Sequence, residues 1–253
     1  MKKIKKKTAS SKPRTPPAFV VGFTHADPPP PGYLAAWFNE AYGGPLTIHL
    51  MGSMGHHRYE AAHTTWRATV QMALPDDVVN GWRDRLNWSH AHVVEIRQSP
   101  QGRGDRRDLA LHTARIARGL TLLTEGTAYD VIGDVFLNPS DWSDMRLDGF
   151  TLRDHVRVFQ EEHLGRGHVW FYTKGLMKFG LDEIETYRPL GLPDRPTIDT
   201  LLELSEVLVA AHKVAKVRDR ILLSDAGHEV RIIRHRTDCT IGRSVPLREV
   251  RWE

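Results

Sequence analysis

This sequence has very little of what usually reveals an activity. Its 253 residues include one cysteine, Cys239, so no intramolecular disulfide can form, which fits a reducing cytosol. No stretch approaches the roughly 18 apolar residues of a membrane helix, and no hydrophobic signal region follows the charged start. A phosphate-binding loop and a zinc-protease signature are also missing. The sequence therefore predicts a cytoplasmic protein that does not enter a membrane, and it leaves the chemistry open.

Acidic residues are absent from the first 26 positions, which makes the net charge of +4 misleading. The remainder of the chain has 28 basic residues against 31 acidic ones, a net charge of −3. Because like charges interleaved with Ser, Thr and Pro bury little apolar surface, we predict that residues 1–16 form a disordered basic arm. The arm would bind nucleic acid through its charges, or it would be a solubilising tail. Its basic residues are Lys2, Lys3, Lys5, Lys6, Lys7, Lys12 and Arg14.

The first half of the body has the alternating pattern of an α+β lobe. The apolar run 18–23 has strand length, and residues 33–42 have helical spacing that ends at two glycines. Two strand candidates follow, PLTIHLMG and the longer YEAAHTTWRATVQM, then a helix after Pro75 and the strand HAHVVEIRQS. This order, β-α-β-β-α-β, is that of a ferredoxin-like unit, which we place at residues 17–105.

The second half repeats this alternation more weakly. Helical spacing at 107–123 and 197–207 alternates with strand candidates, the last of them at 220–223 and 229–235. We therefore predict a second ferredoxin-like α/β lobe at 106–253, with mostly antiparallel sheets, that forms one compact unit with the first lobe.

The clearest structural signal is the run HVWFYTKGLMKFGLDEIETYR at 168–188. Apolar, β-branched and aromatic residues alternate up to Gly175, and a second alternating run with one polar face follows Gly180. We predict two strands joined by a glycine-bounded connection; if Gly175 or Gly180 has a positive φ, alanine at that position would be strained. The first strand should pack Phe171 on the helix near 197–208. The connection is our candidate binding loop, although for Lys178 itself a structural role is favoured over a binding role. Its candidate residues are Lys174, Gly175, Lys178, Phe179 and Gly180.

Histidine supplies the one candidate metal site. His56, Glu60 and His63 are spaced as on one face of a helix, where two imidazoles and a carboxylate form a facial metal site. The surrounding residues favour a strand instead, which would put Glu60 and His63 on opposite faces. We therefore predict no metal and no cofactor, and keep these three residues as a weak alternative. His25 with Asp27, and Cys239 with a distant histidine, lack any supporting spacing for catalysis.

Four segments resemble a known family, the bacterial domain of unknown function 4261. The resemblance covers about residues 18–236, with Gly175, Phe179, Gly180 and Glu183 as its clearest points. It implies an α+β domain and supplies no catalytic residues. The segments are AFVVGFTHADPPPPGYLAAWF, SHAHVVEIRQ with LALHTARIARGLTLL, WFYTKGLMKFGLDEIE, and DRILLSDAGHEVRIIRH.

Three functions stay open at this stage. The favoured one is a non-catalytic macromolecule-binding protein with a protein partner. The reason is that Trp and Arg on a surface are typical of binding hot spots. We assign most tryptophans to the core and the rest to such a surface. By association with proteins of similar resemblance, it would be an immunity or accessory protein of a bacterial competition system. The alternatives are a metal-dependent or histidine-based hydrolase, and a nucleic-acid-associated protein that uses its arm.

Overall fold

The computed structural model describes residues 17–24, 27–52, 57–99, 105–145, 147–225, 227–238 and 244–252. Helices and strands alternate along the chain, and the strands form two sheets. The helices are α1 Pro31–Tyr42, α2 Asp76–Leu86, α3 Arg106–Thr124, α4 Pro139–Asp144 and α5 Asp194–Ala211. The strands are β1 Phe19–Phe23, β2 Thr47–Leu50, β3 Arg58–His63, β4 Trp66–Gln71, β5 His92–Gln98, β6 Thr127–Asp130, β7 Val135–Leu137, β8 Arg157–His163, β9 His168–Lys174, β10 Glu183–Pro189, β11 Arg220–Leu222, β12 Glu229–Asp238 and β13 Val245–Arg251.

The first sheet has seven antiparallel strands in the order β2-β3-β4-β5-β1-β6-β7. Helices α1 and α3 pack on one face, where Phe23 and Leu34 belong to the same core as the α3 residue Ile116. Helix α2 covers the other face through Trp82. The all-apolar strand FVVGF is buried on both sides, which is the position that its sequence predicts.

Helix α3 connects this sheet with the rest of the molecule. Its N-cap is Asp105, whose carboxylate accepts a hydrogen bond from the backbone amide of Arg107 at 2.9 Å. Residues 110–117 are all buried. Leu111 belongs to the core of the first sheet and Ala110 to that of the second, so the helix contributes to both.

The second sheet has the order β11-β12-β13-β10-β9-β8 and is antiparallel except for the pair β10 and β13. Helix α5 packs on one face, where Phe171 meets Leu201, Leu204 and Leu208 in a common core. This confirms the predicted contact between that strand and that helix. The opposite face carries aromatic and charged side chains, described below.

The α+β class and the predominance of antiparallel pairing are confirmed. The ferredoxin-like lobes are not confirmed, because β4 pairs with β5 and β1 lies between β5 and β6. The single long strand expected at YEAAHTTWRATVQM is wrong: it is the hairpin of β3 and β4, with Thr64 in the left-handed region at its turn. The boundary predicted at 105/106 lies before α3, whereas the first sheet continues through β7 to residue 137.

Among the described residues, no helix combines the length and apolar character needed to cross a lipid bilayer.

Candidate binding cleft and aromatic face

The connection between β9 and β10 is held from inside the molecule. Gly175 and Gly180 both have positive φ, 125° and 71°, and a short 3₁₀ helix joins them. The carboxylate of Glu183 accepts hydrogen bonds from the backbone amides of residues 175, 176 and 177 at 2.9, 3.2 and 3.2 Å, and from the Thr173 hydroxyl at 2.8 Å. Burial raises the pKa of Glu183, and these four donors act against that rise because they favour the charged form. The connection is therefore a rigid, internally satisfied turn.

Lys178 lies inside the molecule and is only 4% exposed. Its ammonium group forms an ion pair with Asp130 of the first sheet and donates to the backbone carbonyl of His155 at 2.8 Å. This position agrees with the structural alternative for Lys178. Phe179 is also buried, and it borders, with Gly180, a second cavity of about 640 Å³ that is also lined by the start of α3 and by residues that follow α5.

Lys174 lies on the opposite face of β9 from Phe171 and connects the two sheets. Its ammonium group pairs with Asp134, in the turn between β6 and β7, at 2.5 Å. The same ammonium lies 4.6 Å from the ring centroid of Phe159 and 5.6 Å from that of Tyr172. Of the predicted loop residues, Lys174 is the one that borders the cleft beside the aromatic side chains of the second sheet, which is described below.

The face of the second sheet opposite α5, here called the aromatic face, carries four aromatic side chains: Phe159, Trp170, Tyr172 and Tyr187. Cross-strand register places Phe159 opposite Tyr172 and Trp170 opposite Tyr187, so all four point to the same side. The rings of Trp170 and Tyr172 stack with centroids 4.1 Å apart. All four are only partly buried. They form a continuous apolar surface along neighbouring strands.

A buried carboxylate organises the charges on the aromatic face. Glu185 is fully buried and receives two hydrogen bonds from the guanidinium of Arg236, at 2.7 and 2.5 Å, and one from the indole of Trp170 at 2.8 Å. Arg236 also pairs with Asp238 at 3.1 Å and lies 5.3 Å from the Trp170 ring centroid. Because this bidentate pair and the stacked ring fix the guanidinium, the aromatic face is a pre-formed surface.

The aromatic face forms one wall of a cleft of about 410 Å³ between the two sheets, a volume typical of ligand sites. The first sheet supplies the other wall through the turn after β6. The hydroxyl of Tyr172 donates to Glu161 at 2.7 Å. The pKa of Tyr172 is raised, first by burial and then by Glu161, Asp134 and Asp238. The cleft is lined by Arg85, Tyr129, Val131, Ile132, Asp134, Glu161, His163, Trp170, Tyr172, Thr173, Lys174, Glu183, Asp238, Val245 and Leu247.

The facial metal site considered above is not assembled by the described residues. Glu60 and His63 lie on β3, three residues apart, so the strand points them to opposite faces. Glu60 pairs with Arg67 at 2.8 Å, and the ring of His63 lies 4.7 Å from that of His112. His56 lies outside the described residues. Within the described part of the chain, no group of three or more His, Cys, Asp or Glu side chains is arranged to hold a metal ion.

The remaining candidates fall largely outside the described residues. These are the basic arm with its candidate binding residues Lys2, Lys3, Lys5, Lys6 and Lys7, together with His25 and Cys239. Asp27 is described and exposed.

Comparison with models of known protein families, with curated proteins and with solved structures finds no match.

Sequence reasoning missed the residues that complete the site. Glu185 and Arg236 are 51 positions apart, and Asp134 is 40 positions from Lys174, so no local pattern connects them. The alternation of Trp170 and Tyr172 with buried residues was a visible signal that both belong to one face.

Proposed function

We propose that this chain is a non-catalytic protein that binds a partner protein through the aromatic face and the adjoining cleft. The observation that carries the proposal is the grouping of Trp170, Tyr172 and Tyr187, all partly exposed, around the fixed guanidinium of Arg236. Trp, Tyr and Arg are the residue types that dominate binding energy at protein interfaces, especially when they are pre-organised.

The charges on this face support a protein partner over a nucleic acid. Arg236 and Lys174 are each neutralised by carboxylates of the chain, and Glu161 adds an exposed negative charge. A nucleic-acid surface needs basic groups that are free to contact phosphates. The nucleic-acid hypothesis therefore depends on residues 1–16.

Two broader predictions are part of the same proposal. The resemblance to the domain of unknown function 4261 family, and an immunity or accessory role in bacterial competition, stay predictions that no observation above tests. A cytoplasmic location in a bacterium also stays a prediction; the single cysteine fits a reducing compartment.

The test is affinity capture from a lysate of the source organism, followed by identification of captured proteins by mass spectrometry. We expect that Trp170→Leu loses the partner that the unaltered chain captures. The control is Tyr33→Leu, which changes an aromatic residue that is 64% exposed on α1, away from the cleft. Melting temperatures of both variants show that they are folded. A partner captured equally well by Trp170→Leu would contradict the proposal.

A further inference from the structure

The aromatic face uses the same arrangement, an aromatic ring beside a carboxylate, to hold two cations of the chain itself. The Lys174 ammonium lies over Phe159 and pairs with Asp134. The Arg236 guanidinium lies over Trp170 and pairs with Glu185. Both combine cation–π attraction with an ion pair, which is effective for cations that lose part of their water.

The cleft contains a third position of the same kind. Glu161 lies directly opposite Trp170 across the β8–β9 pair, and its carboxylate accepts the hydroxyl of Tyr172. The rings of Trp170 and Tyr172 thus adjoin an exposed carboxylate at the border of a cavity of about 410 Å³. In the described part of the chain, no Lys, Arg or His side chain forms an ion pair with Glu161.

The charged side chains that line the cleft are the carboxylates Asp134, Glu161, Glu183 and Asp238 and the cations Arg85 and Lys174. Burial is the largest cause of the raised pKa of the Tyr172 phenol, and three carboxylates on three different segments, Glu161, Asp134 and Asp238, raise that pKa further. Because these carboxylates disfavour the phenolate anion of Tyr172, the same position favours a cation. The cavity itself is walled largely by apolar and aromatic side chains, which suits the methylene stem of a long basic side chain.

We propose that this cleft binds a lysine or arginine side chain of a partner protein, with the ammonium or guanidinium beside Glu161 and the stem along the rings of Trp170 and Tyr172. This inference rests on the proposed function and names the chemistry of the partner segment that enters the cleft. A peptide carrying exposed basic residues is therefore the ligand class.

The test is calorimetric titration of the full chain with the peptide tetralysine, with tetra-Nε-acetyllysine as the uncharged comparison. We expect tetralysine to bind at least about 5-fold more tightly than its acetylated form, since acetylation removes the charge that both the ring and the carboxylate recognise. Glu161→Gln should weaken tetralysine binding by about 3- to 10-fold. Glu162→Gln is the matched control, because Glu162 is exposed on the other face of the same strand.

Trp170→Leu should weaken tetralysine binding by about 3- to 30-fold. Because Glu161 is exposed, Glu161→Gln keeps the test valid if Trp170→Leu fails to fold. Equal binding of the acetylated peptide, or equal effects of Glu161→Gln and Glu162→Gln, would overturn the proposal. Equally tight binding of free n-butylamine would contradict the proposal that the ligand is a side chain of a protein, and would indicate a small amine instead. Binding of a single-stranded oligonucleotide that is sensitive to Glu161→Gln would also overturn it.

These outcomes are distinguishable from failure of the proposed function. If tetralysine does not bind but Trp170→Leu still abolishes capture of a partner, the aromatic face is an interface and only the cationic ligand class is wrong. If capture is unaffected by Trp170→Leu, the proposed function itself is wrong.

Discussion

The ion pair between Lys178 and Asp130 should be among the strongest polar determinants of stability. Both side chains are almost completely buried, with 2% and 5% of their surface exposed. Removing one member of a buried pair typically costs about 3–5 kcal/mol, because the other charge stays buried without compensation. Two backbone amides, those of Ile132 and Gly133, continue to donate to the Asp130 carboxylate at 3.2 and 2.8 Å. We therefore expect Lys178→Met to lie at the lower end, at about 3 kcal/mol.

The two single variants should not be additive. Asp130→Asn leaves the Lys178 ammonium with the His155 carbonyl and an uncharged amide oxygen, and should also cost about 3 kcal/mol. In the double variant neither charge is present, and its total cost should be about 3–4 kcal/mol. The resulting coupling energy is about 2–3 kcal/mol.

The assay is urea unfolding followed by tryptophan fluorescence at pH 7 and 25 °C, with all four proteins compared at a common m-value. The control is Arg195→Met, which breaks the ion pair between Arg195 and Asp199. Because the Arg195 side chain is 80% exposed, this change should leave the urea midpoint unchanged. Additive costs of Lys178→Met and Asp130→Asn would refute the reasoning, because they would mean that the two charges do not interact.

Four further predictions follow from the described contacts. Phe171→Ala should cost about 3–5 kcal/mol in urea unfolding, since it leaves a cavity against α5, and a cost near zero would contradict the packing. Gly175→Ala should cost more than about 2 kcal/mol, because a Cβ would meet the backbone of His155. Gly180→Ala should cost about 1 kcal/mol, because its Cβ would meet the end of the long Arg106 side chain, which can shift if it gives up its hydrogen bond to the Phe179 carbonyl; the reverse order would be inconsistent with the turn. Burial lowers the pKa of His155 from 6.5 to about 3, so below about pH 6.5 the unfolded chain binds a proton that the folded chain does not. The free energy of unfolding should therefore fall by up to about 1.4 kcal/mol per pH unit as the pH is lowered below about 6.5. His155→Phe should reduce that slope. Deleting residues 1–16 should abolish binding to DNA or RNA in a filter assay and hardly change the melting temperature, and retained binding would exclude a role for the arm.

What the sequence predicted well depends on near neighbours in the chain. The alternation around Phe171 gave the strand, its buried face and the helix that covers it. The glycines at 175 and 180 predicted the connection between the two strands, and both have positive φ in the structure. These features are local because side-chain period and backbone sterics act over a few residues.

What the sequence did not predict depends on pairing between distant segments. Strand β6 pairs with β1 across more than a hundred residues, so the first sheet includes strands that a division at residue 105 assigns to the second lobe. The apolar stripe of α3 predicted a helix but not the sheet on which it packs. Residues 110–117 are all buried, including His112 and Arg115, and a helix that is buried all round cannot be assigned to one lobe from its apolar stripe. Lys178 had no local signal, because a lysine in a loop is ordinarily solvated.

The same distant contacts connect the scaffold to the candidate site. Lys178 holds Asp130 and Lys174 holds Asp134, so both ends of the turn after β6 are fixed to the second sheet. Val131 and Ile132, between these anchors, form a wall of the cleft opposite Trp170. The cleft therefore exists because two ion pairs fix the turn against the aromatic face, and a binding surface made in this way has its geometry set before a ligand arrives. If the cleft binds a ligand as proposed, Lys178, which does not line it, should affect binding through the position of that turn.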